Sequence, residues 1–333
     1  MKIAIIGAGI IGRLLSWRLL RYSTNQISLY DKEYKNINNC SMTAAGILSP
    51  FSELDKLDST ILNLSINSLN LWDSYLKELK KPIFFQKNGS IITAHQQDID
   101  TLSHYIKYIE KYTKNKIQIL TKQELKKLEP NLNMKYAYWL PKEGQIDSQA
   151  FMNYMGELLP KYINWYEKIE IKYCIPHEVN GKQYDWVIDC RGLGAKEELS
   201  ELRSIRGELI WIHTSDISFM RPIRMIHPKK SIYIVPRPKN IFILGSSEIE
   251  SYDFSPISVR TTLELLSSAY SVNSSFLEAR IIKTATQCRP TLPNYSSNLI
   301  IHKNGLIRVN GLFRYGWLVA PPIVEKIIQH IFK

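Results

Sequence analysis

Three glycines near the start of the chain have the spacing that binds a dinucleotide. Gly7, Gly9 and Gly12 follow the apolar run KIAII at 2–6 and precede the helical segment RLLSWRLLRY. The first glycine permits a tight turn, the second lets the backbone approach a pyrophosphate, and the third lets the helix pack on the strand. The free amides at the start of the helix would point at the phosphates. The pattern therefore predicts a dinucleotide site.

An acidic residue and a run of small residues then narrow the choice of cofactor. The strand-like segment QISLYD ends in Asp31, 19 residues after Gly12, which matches the spacing of about 20 to a ribose-binding acid. This fingerprint serves NAD and FAD alike. The segment from Cys40 to Glu53, CSMTAAGILSPFSE, favours FAD because small residues let backbone amides lie close to a flat ring system. We expect its cofactor contacts at Thr43, Ala44, Ala45, Gly46 and Ile47.

The elements that position these residues belong to a chain of ordinary globular composition. Its 333 residues are 44% apolar and 22% charged, which predicts a soluble protein of two domains rather than one core. No apolar run reaches the roughly 20 residues of a membrane helix, and the first residues do not resemble a signal peptide. We therefore expect a cytoplasmic protein without a membrane span.

Charge and metal-ligand residue types point away from two other classes of protein. The formal charge is +12, but the lysines are spread along the chain, so we do not expect a nucleic-acid partner. The four cysteines contain no CxxC pair and the seven histidines lack ligand spacing. We therefore expect no metal site and no disulfide framework.

Several sequence blocks recur in the order that a known family shows. They are GAGIIG with Asp31, SMTAAGILSP, LEP at 128–130, EGQIDSQAF at 143–151, CRGLGA at 190–195, RSIRGE at 203–208, YIVPR at 233–237, GSSE at 245–248, RPTLP at 289–293 and GLFRYGWLVAPP at 311–322. Together they resemble the D-amino-acid-oxidase-like FAD-dependent oxidoreductases, most closely the glycine oxidases of thiamine biosynthesis. The resemblance covers nearly the whole chain and implies FAD. No cysteine matches a flavin-attachment position, so we expect non-covalent FAD.

The resemblance also implies an α/β fold made of two interleaved domains. One is an FAD-binding, Rossmann-like domain of the glutathione-reductase type, and the other is an α+β substrate-binding domain on a mostly antiparallel sheet. The expected boundaries of the FAD-binding domain are 1–80, 140–203 and 289–333, and those of the substrate-binding domain are 81–139 and 204–288. Within the latter, PIFFQKNGSIITAH predicts two strands around an Asn-Gly turn. Residues 102–115 and 258–271 predict helices that flank the sheet.

Three side chains are expected to form the substrate site. In glycine oxidases the arginine that matches Arg289 pairs with the substrate carboxylate, and a guanidinium suits that task because it binds both oxygens. Tyr233 is the expected second donor to the carboxylate, and Arg314 matches an arginine near flavin and substrate. Arg206 and Arg237 are expected to be structural. The expected cofactor contacts in later segments are Gly192, Gly311 and Gly316, the last two ahead of a helix aimed at the flavin.

The chain also departs from this family at three places. Between residue 171 and Val187 the family has a longer β-meander near the adenosine, so FAD is held more loosely or the meander is trimmed to one hairpin. Ser231 replaces a histidine. Gln287 and Cys288 replace the usual Gly-Leu. These departures therefore leave a larger or different substrate than glycine as an alternative.

The main functional hypothesis is oxidation of glycine or another small amino acid or amine to the imine. A hydride would pass to flavin N5, and oxygen or a quinone would accept the electrons, oxygen giving hydrogen peroxide. Two alternatives stay open: a flavoprotein acting on modified wobble uridine in tRNA, and a non-catalytic flavoprotein remnant. The resemblance also leaves a homo-oligomer open.

Overall fold

The computed structural model describes residues 1–22, 25–34, 39–53, 59–113, 116–293 and 300–332. The strands are β1 (Lys2–Ile6), β2 (Gln26–Tyr30), β3 (Ile47–Leu48), β4 (Phe85–Gln86), β5 (Ser90–Thr93), β6 (Gln118–Ile119), β7 (Ala137–Leu140), β8 (Gly144–Ile146), β9 (Asn164–Tyr166), β10 (Glu178–Val179), β11 (Lys182–Gln183), β12 (Trp186–Asp189), β13 (Arg203–His213), β14 (Ile223–Met225), β15 (Ile232–Arg237), β16 (Ile241–Gly245), β17 (Ile249–Glu250), β18 (Arg280–Thr291), β19 (Ile300–Lys303) and β20 (Leu306–Val309). The helices are α1 (Ile10–Leu19), α2 (Cys40–Thr43), α3 (Ser59–Ile66), α4 (Ser68–Lys77), α5 (Ile99–Thr113), α6 (Lys122–Leu128), α7 (Ser148–Leu158), α8 (Val259–Val272) and α9 (Gly316–Ile331).

A six-stranded sheet gathers strands from distant parts of the chain, in the order β19-β20-β12-β1-β2-β9. The pairs β1–β2, β1–β12, β12–β20 and β2–β9 are parallel, whereas β19 and β20 are antiparallel. The apolar residues of β1 and β2 are almost fully buried, as expected for strands covered on both faces. Helices α1 and α9 share the main apolar core with this sheet. The carboxyl ends of β1, β2 and β12 therefore lie side by side.

A second sheet has nine strands in the order β17-β13-β16-β15-β14-β5-β7-β6, with β18 paired to β13. The sheet is mixed, because β5 and β14 run parallel while its other pairings are antiparallel. A separate apolar cluster, which includes residues of α8, packs against it. The protein thus has an α/β fold with mixed sheets.

The predicted strands around the Asn-Gly turn both form, but they do not pair with each other. β4 pairs with β8 in a three-stranded sheet, whereas β5 pairs with β7 and β14. Gly89 has a φ of 85°, and its amide donates to the carbonyl of Glu143 at 2.9 Å. The chain therefore passes from the three-stranded sheet to the nine-stranded sheet at this turn. The strands with which β4 and β5 pair are distant in sequence.

A single hairpin occupies the segment in which the resemblance implies a longer β-meander for other members of the family. β10 and β11 pair in antiparallel register, joined by Asn180 and Gly181 at φ values of 50° and 74°. Both positive values are typical of the tight turn that two-residue hairpins favour. The segment is thus trimmed to one hairpin, while a looser hold on FAD stays a prediction.

The two helices predicted to flank the second sheet are present, close to the expected positions. Their observed bounds are Ile99–Thr113 and Val259–Val272, and residues 114–115 lie outside the described part. Among the described residues, no helix is both long and apolar enough to cross a membrane.

A buried carboxyl group at the end of α6 gives the fold a testable pH dependence. Glu129 is 0% exposed, accepts from the Met220 amide at 2.9 Å and pairs with Arg221 at 3.3 Å. Burial raises the pKa of Glu129 from 4.5 to about 7. The folded state therefore keeps a proton, between pH 4.5 and 7, that the unfolded state releases.

We predict that this stability contribution falls as pH rises through that window. Relative to Glu129→Gln, the wild type should lose about 3 kcal/mol of unfolding free energy between pH 4.5 and pH 7. Urea unfolding of both proteins, with the same ligand concentrations, measures the difference. Parallel pH profiles for the two proteins would contradict the prediction.

Candidate functional site

A cavity of about 350 Å³ lies where the carboxyl ends of β1, β2 and β12 meet the second sheet. This volume is within the usual range of small-molecule sites. Gly12 does not line the cavity. The predicted site residues that do line it are Gly7, Gly9, Asp31, Thr43, Ala44, Ala45, Gly46, Ile47, Gly192, Tyr233, Arg289, Gly311, Arg314 and Gly316.

The glycine turn between β1 and α1 is tightly packed against its neighbours. Gly7 has a φ of 101°, and a Cβ there would overlap the carbonyl oxygen of Cys190. A Cβ on Gly12 would overlap the carbonyl oxygen of Gly7, so the third glycine allows α1 to pack on β1. A Cβ on Gly9 would lie 3.3 Å from the Ser41 hydroxyl. At Gly7 and Gly12 a side chain would overlap backbone atoms, so the turn requires glycine at both positions.

Asp31 follows β2 and links the glycine turn to the cavity. Its carboxylate accepts from the amides of Ala8 and Glu33, the latter at 2.9 Å. A carboxylate has about four acceptor positions, so these two bonds leave capacity for ribose hydroxyls. The same side chain can therefore order the turn and bind a nucleotide.

The small-residue segment is fixed by Arg237. This guanidinium donates to the carbonyls of Ala45 and Ile146, the latter at 2.8 Å, and to the Gln145 side chain at 2.6 Å. A Cβ on Gly46, whose φ is 65°, would overlap the Ile146 carbonyl oxygen. Burial lowers the pKa of Arg237 to about 10, so it stays charged at neutral pH. Its contacts agree with the structural role expected for it.

Arg289 lies in β18 and reaches across the neighbouring strand β13. Its Nη1 donates to the Ser247 carbonyl at 3.2 Å and its Nη2 to the Ser246 hydroxyl at 2.9 Å. A Cβ on Gly207 would overlap Arg289 Nη2, so the guanidinium occupies the space that this glycine leaves. Within the described ranges Arg289 forms no ion pair. Its charge is therefore available to an anionic ligand.

Tyr233 lies in β15, opposite Gly245 of β16. A Cβ on Gly245 would lie 2.6 Å from the tyrosine hydroxyl oxygen, so this glycine makes room for the ring. Burial raises the pKa of Tyr233 although the nearby Arg289 lowers it. The hydroxyl group is thus protonated at neutral pH and can donate a hydrogen bond beside Arg289.

Arg314, by contrast, is already engaged by two carboxylates. It forms ion pairs with Glu53 and Glu248. Burial acts to lower the pKa of Arg314, but the charges of both carboxylates raise it overall. Burial likewise acts to raise the pKa of Glu53, but Arg224 and Arg314 lower it overall. The charge of Arg314 is therefore compensated within the protein.

Four residues that contact Arg289, Tyr233 or Arg314 were not predicted from the sequence as site residues. They are Gly207, Gly245, Glu53 and Glu248. A signal existed for the glycines, because an isolated glycine within a strand often marks a close approach. The carboxylates gave no local signal, since each meets Arg314 only after the chain folds.

The N-terminus of α9 also opens onto the cavity. Tyr315, Gly316, Trp317 and Leu318 all line it. Trp317 donates through its indole nitrogen to the Ser41 carbonyl at 2.9 Å, which ties α9 to the small-residue segment. A helix N-terminus carries partial positive charge. This end of the cavity therefore favours a group that gains negative charge.

The contact between Gly207 and Arg289 predicts a selective loss of activity in Gly207→Ala. The new Cβ would overlap the end of a flexible side chain rather than backbone, so the fold can absorb it by moving the guanidinium. We expect kcat/KM for a substrate bound through an anionic group to fall about 100-fold, equivalent to about 3 kcal/mol of transition-state stabilisation, with cofactor content unchanged. Steady-state kinetics and flavin absorbance measure both. Unchanged kcat/KM would show that Arg289 does not need this space.

One cavity is lined both by Gly7 and Gly9 of the glycine turn and by Arg289, which has no carboxylate partner in the part of the chain that the structure describes, so the cavity is suited to a nucleotide and an anionic ligand. The family model described as FAD dependent oxidoreductase matches residues 2–329. The chain belongs to that family.

Individual relatives extend over nearly the same length. A Rhizobium etli protein, provisionally named thiamine biosynthesis oxidoreductase ThiO, is 28% identical over 333 residues, covering 99% of this chain and 96% of the relative. Glycine oxidase from Geobacillus kaustophilus has a TM-score of 0.84 at 20% identity, covering 99% of this chain and 94% of that one. Iminodiacetate oxidase from Chelativorans sp. BNC1 has a TM-score of 0.79 at 19% identity, covering 99% and 95%. The solved structures share the fold of this chain.

Proposed function

We propose that the protein oxidises glycine or another small amino acid or amine to the corresponding imine. The observation that carries this proposal is Arg289, a guanidinium without a carboxylate partner among the described residues, which lines the cavity together with the predicted cofactor residues. The name of the Geobacillus kaustophilus structure supports an amino-acid substrate, and that of the Rhizobium etli relative supports a role in thiamine biosynthesis.

The residues that line the cavity fit FAD. A Cβ on Gly192 would meet only the Pro290 ring, at 3.6 Å, and one on Gly316 would meet no atom closer than 3.8 Å. Side chains at these positions would fill the cavity. Residues at the N-termini of α1 and α9 line it as well, and helix N-termini favour phosphate and other anionic groups. Asp31 and the glycine turn would hold the nucleotide half, and residues 43–47 and 311–316 the flavin half.

FAD is proposed to bind without a covalent link. Cys40 lines the cavity, but its thiol donates to the Cys288 carbonyl at 2.9 Å. Burial raises the pKa of Cys40 to about 12, so the reactive thiolate is absent at neutral pH. The four cysteines are free, which supports the cytoplasmic location that we also propose.

Substrate binding is assigned to Arg289 and Tyr233. The guanidinium would pair with the substrate carboxylate, and the tyrosine hydroxyl would donate to the same group. The amine must lose its proton before oxidation. Glu53 and Glu248 both pair with Arg314, so neither is left as an unpaired carboxylate that would retain that proton. Arg314 is therefore proposed to shape the site rather than to anchor the carboxylate.

FAD held by residues 43–47 and 311–316 would supply the redox chemistry, a two-electron oxidation of the substrate with oxygen as the final electron acceptor and hydrogen peroxide as its product. The protein's task is to hold the Cα–H bond within roughly 3–3.5 Å of the accepting atom. The division into an FAD-binding domain (1–80, 140–203, 289–333) and a substrate-binding domain (81–139, 204–288) is part of the proposal.

Anaerobic mixing of the FAD-loaded protein with amines tests this function directly. Glycine and sarcosine should bleach the flavin absorbance, and admission of oxygen should release one peroxide per imine formed. Iminodiacetate and larger amino acids define the breadth of the site. If no member of a broad amine panel changes the spectrum, the proposed activity is wrong.

A further inference from the structure

An irregular segment borders the cavity beside Asp31. Residues 169–174, here called the adenosine strap, lie between β9 and β10 and belong to no helix or sheet. Ile169, Glu170 and Ile171 line the cavity, and the Ile169 amide donates to the Asp31 carbonyl at 2.9 Å. In dinucleotide folds an acid at the end of the second strand binds the adenosine ribose. The strap therefore lies where the adenosine half of FAD is expected.

Charged side chains satisfy four backbone groups of the adenosine strap. Arg191 Nη1 donates to the carbonyls of Ile171 at 2.7 Å and Lys172 at 2.6 Å. Glu198 accepts from the Cys174 amide at 3.2 Å, and Arg308 donates to the Cys174 carbonyl at 3.1 Å. Hydrogen bonds from ionised groups are stronger than neutral ones. Four backbone groups of the strap are thus fixed from one side.

The side chains that make these bonds form one buried network with Asp189. Arg191 donates to Asp189 at 2.8 and 2.9 Å and pairs with Glu198. Arg308 pairs with Glu198 and, at 3.5 Å, with Asp189. These side chains are 1–15% exposed. We call Asp189, Arg191, Glu198 and Arg308 the strap clamp.

The residues of the strap clamp are not suited to bind a metal ion. Cys174, Asp189 and Glu198 place potential ligand atoms within 4.8 Å of one another. Both carboxylates already pair with Arg191 and Arg308, whose charges occupy the position a cation would take. Burial raises the pKa of the Cys174 thiol, so it stays protonated and does not add a negative charge.

We propose that the strap clamp holds the adenosine strap in place and thereby selects a flavin that carries adenosine. Removing charged groups from water costs free energy, and buried ion pairs often add little stability. The clamp uses its buried charged groups to bind four backbone groups of the strap. The cost of burying them is explained if the strap must be held in place to bind a ligand. The hairpin β10–β11 is shorter than the family meander that lies near the adenosine. In this chain the strap and the clamp together hold the adenosine instead. The inference rests on FAD dependence and not on the proposed substrate.

Binding of FAD and of FMN by the apoprotein separates this role from general stability. FMN has the flavin and one phosphate but lacks the adenosine. Arg191→Gln should weaken FAD binding at least tenfold, about 1.4 kcal/mol, and FMN binding less than twofold. Quenching of flavin fluorescence measures both dissociation constants. Arg203→Gln is the matched control, because the Arg203 side chain is 57% exposed and lies outside the clamp; it should leave both constants unchanged.

Two results would overturn the proposal: FAD affinity unchanged in Arg191→Gln, or FAD and FMN affinities lowered by the same factor. If Arg191→Gln does not fold, Glu198→Gln takes its place, since it keeps the shape of the side chain. It should weaken FAD severalfold, spare FMN and increase amide hydrogen exchange at residues 169–174. Equal effects on both flavins in this variant would likewise overturn it. No substrate is present, so failure here is distinct from failure of the proposed activity.

Discussion

Arg289→Gln should lower kcat/KM for glycine on the order of 10³-fold while the protein stays yellow. The side chain donates to Ser246 and Ser247 and has no carboxylate partner among the described residues, so a substrate carboxylate would be its only strong counter-charge. Loss of one partner from a buried charge pair costs 2–5 kcal/mol or more, which corresponds to roughly 30-fold to several thousandfold in rate. Most of the loss should appear in KM, because the carboxylate is held before and during reaction.

Two further variants make this result specific. Arg289→Lys keeps the charge but loses the planar fork that binds both oxygens, so it should recover only part of the activity. Arg203→Gln removes an exposed arginine of β13 and should behave as wild type. If Arg289→Gln retains activity within tenfold, the carboxylate is bound elsewhere, and Arg314 becomes the residue to test.

The parts of the site that local spacing determines could be predicted from the sequence. The turn at Gly7, Gly9 and Gly12 needs only a strand, a helix and three glycines close together in the chain. Its dense packing follows, since a Cβ on Gly7 or Gly12 would overlap backbone atoms. Asp31 is similarly fixed by the length of one strand-helix-strand unit.

The parts that depend on distant partners could not be predicted. The family resemblance predicts Arg314 near flavin and substrate but gives no indication that Glu53 and Glu248 compensate its charge. Likewise, the Asn-Gly turn predicted two strands correctly, but β4 pairs with β8 whereas β5 pairs with β7 and β14, and these partners come from distant parts of the chain. In each case the deciding contact joins residues whose proximity exists only in the folded chain.

The second large effect is expected from Gly12→Ala. In an ordinary helix interior, alanine is more favourable than glycine by about 1 kcal/mol. Here the new Cβ would overlap the Gly7 carbonyl oxygen and lie 3.1 Å from its carbon. These are backbone atoms of the turn and cannot rotate away, so α1 must move off β1. That displacement moves the N-terminus of α1 out of line with the cavity.

We therefore expect Gly12→Ala to fold with lowered stability and to lose FAD. Overpacking typically costs 1–3 kcal/mol. If the free protein relieves the overlap by moving α1, FAD binding must restore the original turn, and a cost of about 3 kcal/mol for that step weakens FAD binding more than 100-fold. Absorbance of the purified protein and a flavin titration measure the loss. Ser16→Ala is the control within the same helix, because Ser16 is buried and its hydroxyl has no hydrogen-bond partner among the described residues. A Gly12→Ala protein that binds FAD as tightly as Ser16→Ala would show that the turn tolerates the extra atom, and the assignment of the pyrophosphate to this turn would lose its main physical support.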